Sequence, residues 1–264
     1  LTRIFAIANQ KGGVGKTTTS VNLAASLATF NKRVLLVDMD PQGNATMGCG
    51  VNKNQLPITV LDVISGDSVT EDALQRCQDG AFDLLPANGD LTAAEVELLK
   101  LPGRESRLHQ ALERVKSGYD YIIIDCPPSL SLLTVNSLVA CEGVIIPMQC
   151  EYYALEGLSA LIGTIGKIGQ RLNPRLKVEG ILRTMYDPRN SLTNEVTGQL
   201  RQYFGDKVYR IAIPRNVRLA EAPSYGQPAL VYDKHSKGAL AYLGLAGEII
   251  RRAKAAAKEA ETTG

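Results

Sequence analysis

The 264-residue chain has no tryptophan and only five cysteines (Cys49, Cys77, Cys126, Cys141 and Cys150), dispersed with no CxxC pair. An odd, scattered set builds neither a disulfide framework nor a zinc site, so most of these thiols are expected as small buried hydrophobes in a reducing cytoplasm. No apolar run approaches the roughly 20 residues that cross a bilayer. Linkers rich in Pro, Gly or Ser, low-complexity blocks and internal repeats are also missing, so residues 1–264 are expected to form one domain. The first strand-like run starts almost at once, and no signal peptide is expected.

What the chain does have is alternation. Ile4–Ala8, Arg33–Val37, Phe82–Leu85, Tyr121–Ile124, Gly143–Ile146 and Val178–Leu182 are strand-like, and several are apolar throughout, as in parallel strands covered on both faces. Helical patterns lie between them. The clearest is the stripe Leu155, Leu158, Leu161, Ile162, Ile165 and Ile168. The expected fold class is α/β, a single mostly parallel twisted sheet with helices on both faces and ligands at the carboxyl ends of the strands. Residues 43–80 and 186–236 are the least regular and are expected to face partners.

Between the first strand and the first helix lies Lys11-Gly12-Gly13-Val14-Gly15-Lys16-Thr17-Thr18. Glycines there let backbone N–H groups approach phosphate oxygens, and the helix N-terminus adds the positive end of its dipole. Lys16 would reach the β and γ phosphates, and the Thr17 hydroxyl would ligate Mg2+. The common P-loop has a glycine where this chain has Gln10, and a second lysine, Lys11, precedes the glycine pair.

Two acidic strand ends accompany this loop. Asp38-Met39-Asp40-Pro41-Gln42-Gly43-Asn44 closes the second strand. Beside a P-loop, Asp40 could position an attacking water and Asp38 hold the metal's hydration shell, although a strand-end turn with solvated acids is the plainer alternative. Asp125, followed by Cys126-Pro127-Pro128, closes the buried Tyr121–Ile124 run in the Walker-B manner and would anchor Mg2+. Further on, Pro214-Arg215-Asn216 could cover a flat base, with Asn216 at its edge; a plain loop competes equally.

Charge is uneven. Residues 1–169 hold 13 Lys and Arg against 18 Asp and Glu, a net of −5, whereas residues 170–264 hold 16 against 9, a net of +7. Such asymmetry suits a basic face toward a polyanion.

With Lys11–Thr18, Asp38–Asn44, Asp125–Pro128 and Pro214–Pro223 in hand, the chain closely resembles the ParA/Soj family of deviant-Walker partitioning ATPases over essentially its full length. It looks like the small chromosomal form, whose expected plan has no helix-turn-helix domain ahead of the first strand. The resemblance implies an ATP-dependent homodimer that binds double-stranded DNA nonspecifically and answers to a ParB-type activator. The setting would be the cytoplasm, on the nucleoid and away from membranes. Lys11 would cross the dimer interface to phosphates of the facing subunit, while Lys16, Thr17 and Thr18 serve the subunit's own ATP or ADP and Mg2+. Asp40 would support water attack and Asp125 the metal; Pro214 and Asn216 would flank the adenine. Glu151 would contact the nucleotide or the partner subunit. Arg189 and Arg218 match DNA-contacting positions, with solvated surface residues or internal ion-pair partners as the alternative. Relatives often carry a basic leader that helps activation, whereas only Leu1 and Thr2 precede Arg3 here.

Other classes share the loop. A MinD-like membrane switch needs an apolar C-terminal helix, and the tail from Ile249 to Ala260 is mostly alanine and charge beyond its isoleucines. An electron-transfer ATPase resembling the nitrogenase iron protein needs cluster-binding cysteines at an interface, and Cys126 is better explained by packing. A kinase or synthetase is disfavoured by the full motif set.

Overall fold

The strand-like runs assemble into one sheet. Its strands are β1 (Arg3–Ile7), β2 (Val34–Asp38), β3 (Gln75–Cys77), β4 (Phe82–Leu85), β5 (Tyr121–Asp125), β6 (Gly143–Gln149) and β7 (Lys177–Thr184). The computed structural model describes residues 2–77 and 81–263, with side chains to residue 258. Leu1 and residues 78–80 of the irregular 43–80 stretch lie outside the described residues.

The strand order is β3-β4-β2-β5-β1-β6-β7. Every neighbouring pair is parallel except β3 with β4, so the mostly parallel expectation holds, with one antiparallel edge strand added. Gln75-Arg76-Cys77 is too short to show a period, which is why sequence patterning missed it.

Uniform apolarity in the strands has the expected cause. Ile122 and Ile124 of β5 join Leu35 and Val37 in a core layer under Leu108, Leu133, Leu158 and Ile165. Ile123 between them faces the other way, joining Phe5, Ile7 and Leu36 under Leu23, Leu27, Tyr242 and Ile249. Each such buried aliphatic contributes about 1.5–3 kcal/mol. On the second face the helices Lys16–Thr29 and Lys237–Thr263 pack together, pinned by a buried contact of 3.0 Å between the Thr19 and Tyr242 hydroxyls. Ile249 is buried and Ile250 packs against this layer, so the tail's isoleucines belong to the core. Among the described residues, no helix is long and apolar enough to cross a membrane.

The two irregular stretches are more ordered than expected. Residues 186–236 contain the 14-residue helix Ser191–Phe204, capped by Asn190 accepting from Leu192 and Thr193 N–H. Its Leu192, Val196, Leu200 and Phe204 recur every fourth residue and pack on the core, a period that was available in the sequence. Residues 43–80 hold the short helices Asn44–Gly48, Val60–Ser65 and Thr70–Ala73. The parallel register brings the carboxyl ends of β1, β2, β5 and β6 together, and the motif loops leave from those ends.

Candidate functional site

The P-loop runs from the end of β1 to the helix that starts at Lys16. Gly13 and Gly15 have φ of +72° and +85°, in the left-handed region that glycine adopts without strain. Gly15 begins the helix with no side-chain cap, leaving its first N–H groups for an anion. The Lys16 ammonium donates to the Lys11 carbonyl at 3.2 Å. Burial lowers its pKa against the attraction of Asp125, so a charge with few protein partners is held in a desolvated place. Val14 is buried, whereas Lys11, Gly12 and Gly13 form an exposed rim.

The two acidic strand ends lie side by side, since Asp38 and Asp125 are register partners between β2 and β5. Thr17 Oγ1 donates to Asp125 Oδ2 at 2.8 Å, and Ser20 Oγ donates to Asp125 Oδ1 at 2.7 Å. Burial and then the Asp38 carboxylate raise the Asp125 pKa; burial also raises that of Asp38. A buried carboxyl group next to a threonine hydroxyl is a hard oxygen donor set suited to Mg2+. Among the described residues no group of three or more His, Cys, Asp and Glu could hold a metal, and Mg2+ on phosphates needs no such cage.

Asp38 is placed otherwise than expected. Its Oδ1 accepts from Asp40 N–H at 3.1 Å, and its Oδ2 accepts from Thr46 N–H at 2.9 Å and Thr46 Oγ1 at 2.7 Å. These bonds staple the 38–46 loop, giving Asp38 a loop-holding part that the sequence did not show. Asp40 is 8 % exposed, and among the described residues its Oδ1 accepts only from Gln42 N–H, at 2.9 Å, so lone pairs remain for a water.

On the rim, the Lys11 ammonium pairs with the Glu151 carboxylate just beyond β6. Asn9 holds the same stretch: its Oδ1 accepts from Lys11 N–H at 3.0 Å, and its amide donates to the Pro147 carbonyl at 2.7 Å. Beside the P-loop lies a cavity of about 210 Å³ bordered by Gly15, Thr18, Thr184, Pro214, Asn216 and Tyr242. Pro214 and Asn216 are thus brought to the nucleotide end of the sheet. Asn216 Oδ1 accepts from Arg218 N–H at 3.1 Å, which leaves its amide hydrogens as the free edge.

The two arginines singled out for DNA are not free cations. Arg189 makes a two-pronged pair with Asp187 at 2.9 and 2.8 Å, and Arg218 pairs with Glu221 at 2.8 Å and Asp233 at 3.4 Å. These are exposed pairs, the Arg189 side chain being 88 % accessible, so both arginines are solvated surface residues that carry an ion pair. Ser20, Thr46, Asn9 and Thr184 belong to the site and were not read from the sequence. Only Ser20 carried a signal, falling one turn after Lys16 on the same helix face.

Residues 2–178 match a family described as an AAA domain. The chain is 54 % identical to the sporulation initiation inhibitor protein Soj of Bacillus subtilis, over 94 % of this chain and 98 % of that protein. It is 50 % identical to the chromosome partitioning protein ParA of Caulobacter vibrioides, over 95 % of this chain and 94 % of that protein. Among solved structures, cobyrinic acid a,c-diamide synthase from Mycobacterium smegmatis with bound ADP and magnesium is 41 % identical. It matches with a TM-score of 0.85 over 96 % of each chain.

Proposed function

The chain belongs to the ParA/Soj family of partitioning ATPases, and on that premise we propose that it is an ATP-dependent dimerising switch. In this reading it binds DNA without sequence preference and partitions chromosomes or plasmids with a ParB-type partner. One observation carries the reading: Lys16, Thr17 and Asp125 meet behind the P-loop while a second lysine, Lys11, stands on its exposed rim. The first three suit the subunit's own nucleotide. The fourth suits a nucleotide on another copy.

ATP or ADP would lie with its phosphates against the Gly12–Thr18 amides and Lys16, its base near Pro214 and Asn216. Thr17 and Asp125 would hold Mg2+, which neutralises phosphate charge when bound. Asp40, with unused lone pairs, would orient the attacking water, and Asp38 would keep that loop in place. Lys11 would neutralise phosphates on the facing subunit as an arginine finger does, so the dimer lasts only while the γ phosphate is present. The synthase name attached to the Mycobacterium smegmatis structure comes with lower identity than the Soj and ParA relatives, and partitioning is preferred.

For DNA, phosphate neutralisation by Lys and Arg is sufficient. A groove of about 770 Å³ carries Arg201, Arg210, Arg251 and Arg252 together with Asp206 and Glu248. Among the described residues Arg201, Arg210 and Arg251 have no carboxylate partner, unlike Arg189 and Arg218. A nucleoid-associated, cytoplasmic protein with no membrane partner follows from this reading, with residues 1–264 working as one ATPase domain.

Sizing with ADP, ATP and a nonhydrolysable analogue, each with and without plasmid DNA, tests the proposal. A dimer with ATP or the analogue, and a DNA-bound species only then, is expected. A chain that stays monomeric with ATP at every workable concentration overturns it.

A further inference from the structure

β7 ends at Thr184, which no motif includes and which lies 170 positions from the P-loop in sequence. Its hydroxyl donates to the Val14 carbonyl at 2.8 Å, and the two residues are 3 % and 1 % exposed. The same side chain forms the floor under Gly15: a Cβ built there would lie 3.8 Å from Thr184 Cγ2 and 3.9 Å from Thr184 Cβ. A trans peptide carries its C=O and N–H in one plane, pointing opposite ways. Fixing the Val14 carbonyl toward β7 therefore turns the Gly15 N–H away from β7. Among the described residues that N–H has no acceptor within the chain. An unmatched donor beside left-handed Gly13 and Gly15 is the arrangement that receives an anion.

We propose that Thr184 is a positioning residue for the phosphate cradle, its hydroxyl setting the Val14–Gly15 peptide plane so that Gly15 N–H faces the nucleotide phosphates. The proposal rests on the ATP-binding reading and adds a residue from the far end of the chain to it. Among the described residues the Thr184 hydroxyl bonds to the Val14 carbonyl and to no acidic group of the site, so its effect is expected on nucleotide binding.

Two near-isosteric variants separate the hydroxyl from the packing. Thr184→Val keeps a methyl under Gly15 and deletes the donor; Thr184→Ser keeps the donor and deletes the methyl. Titration calorimetry with ATP and ADP is expected to show Thr184→Val weakened about tenfold for both nucleotides, the scale of one buried hydrogen bond. Thr184→Ser is expected to stay within about twofold of the wild type. In steady-state hydrolysis the valine variant should raise KM and keep kcat at saturation. Wild-type affinity in Thr184→Val, or a serine variant weaker than the valine variant, overturns the proposal, because packing would then be the operative contact. A wild-type chain that binds no ATP would instead overturn the functional reading itself.

Discussion

The Lys11 ammonium and the Glu151 carboxylate form an ion pair within a single chain, joining the P-loop rim to the segment after β6. Lys11 has to leave Glu151 before it can reach phosphates on another subunit, and a symmetric dimer breaks one such pair in each copy. Half-exposed pairs are worth about 0–1 kcal/mol each. Glu151→Gln is therefore expected to tighten the ATP-dependent dimer, by up to about thirtyfold. Sedimentation equilibrium over a range of protein concentrations measures this. A looser dimer would mean that Glu151 bonds across the interface and does not hold Lys11 back.

Lys16 sits where an ammonium is poorly solvated. Its lowered pKa, caused first by burial, means that folding disfavours the charged form; this deficit is fully present below the folded pKa and fades as pH rises from there to the unfolded value near 10.5. Lys16→Met should abolish ATP binding by calorimetry, yet leave the ATP-free melting temperature unchanged or raised near pH 7. A variant that loses both would assign Lys16 to the scaffold.

Asp40 accepts one backbone hydrogen bond within the chain and keeps oxygen lone pairs for a water. Asp40→Ala should bind ATP, lose hydrolysis by at least about a hundredfold, as losing a positioned base does, and accumulate as dimer in light scattering. Wild-type turnover in this variant would move the water-orienting role to another group.

Glu248 provides a pH signature away from the nucleotide. Burial opposes its ionisation, but Arg210 and Ile211 N–H at 3.0 and 3.1 Å, together with Arg252 at 2.6 Å, outweigh burial and lower its pKa. A depressed carboxylate stabilises the fold above its unfolded pKa, near 4.5, and loses that contribution as pH falls through the folded value. Glu248→Gln should cost about 1–3 kcal/mol at pH 7. Urea midpoints of variant and wild type should converge as pH drops below that value.

Arginines with and without carboxylate partners can be compared directly. Arg201→Glu with Arg251→Glu should reduce DNA binding more than Arg189→Glu with Arg218→Glu, since Asp187, Glu221 and Asp233 already screen the second pair. Band shifts with ATP at two salt concentrations, alongside sizing to verify the dimer, make the comparison. The opposite ranking would show that Arg189 and Arg218 exchange their carboxylates for phosphates on binding.

The residues whose positions follow from local chain geometry were legible in advance. Gly13 and Gly15 take left-handed φ because a strand-to-helix turn around an anion asks for it, and Lys16, Thr17 and Asp125 fall where their motifs place them. Asp38 was not legible. It carries the same carboxylate as Asp125, and only the fold shows Thr46 and the Asp40 amide occupying its oxygens. β3 was hidden by its length, and the Ser191–Phe204 helix lay in a stretch taken as irregular despite its four-residue period.

By itself the sequence determined the α/β layering and the phosphate loop, because apolar strand runs and glycine placement depend on neighbours along the chain. Tertiary structure alone decided which cation meets which anion: Lys11 with Glu151, Arg189 with Asp187, Arg218 with Glu221, and the Thr184 hydroxyl under Val14. Hydrogen bonds and ion pairs act over a few ångströms between groups that can be far apart in sequence, so their partners exist only once strand order and register have been set.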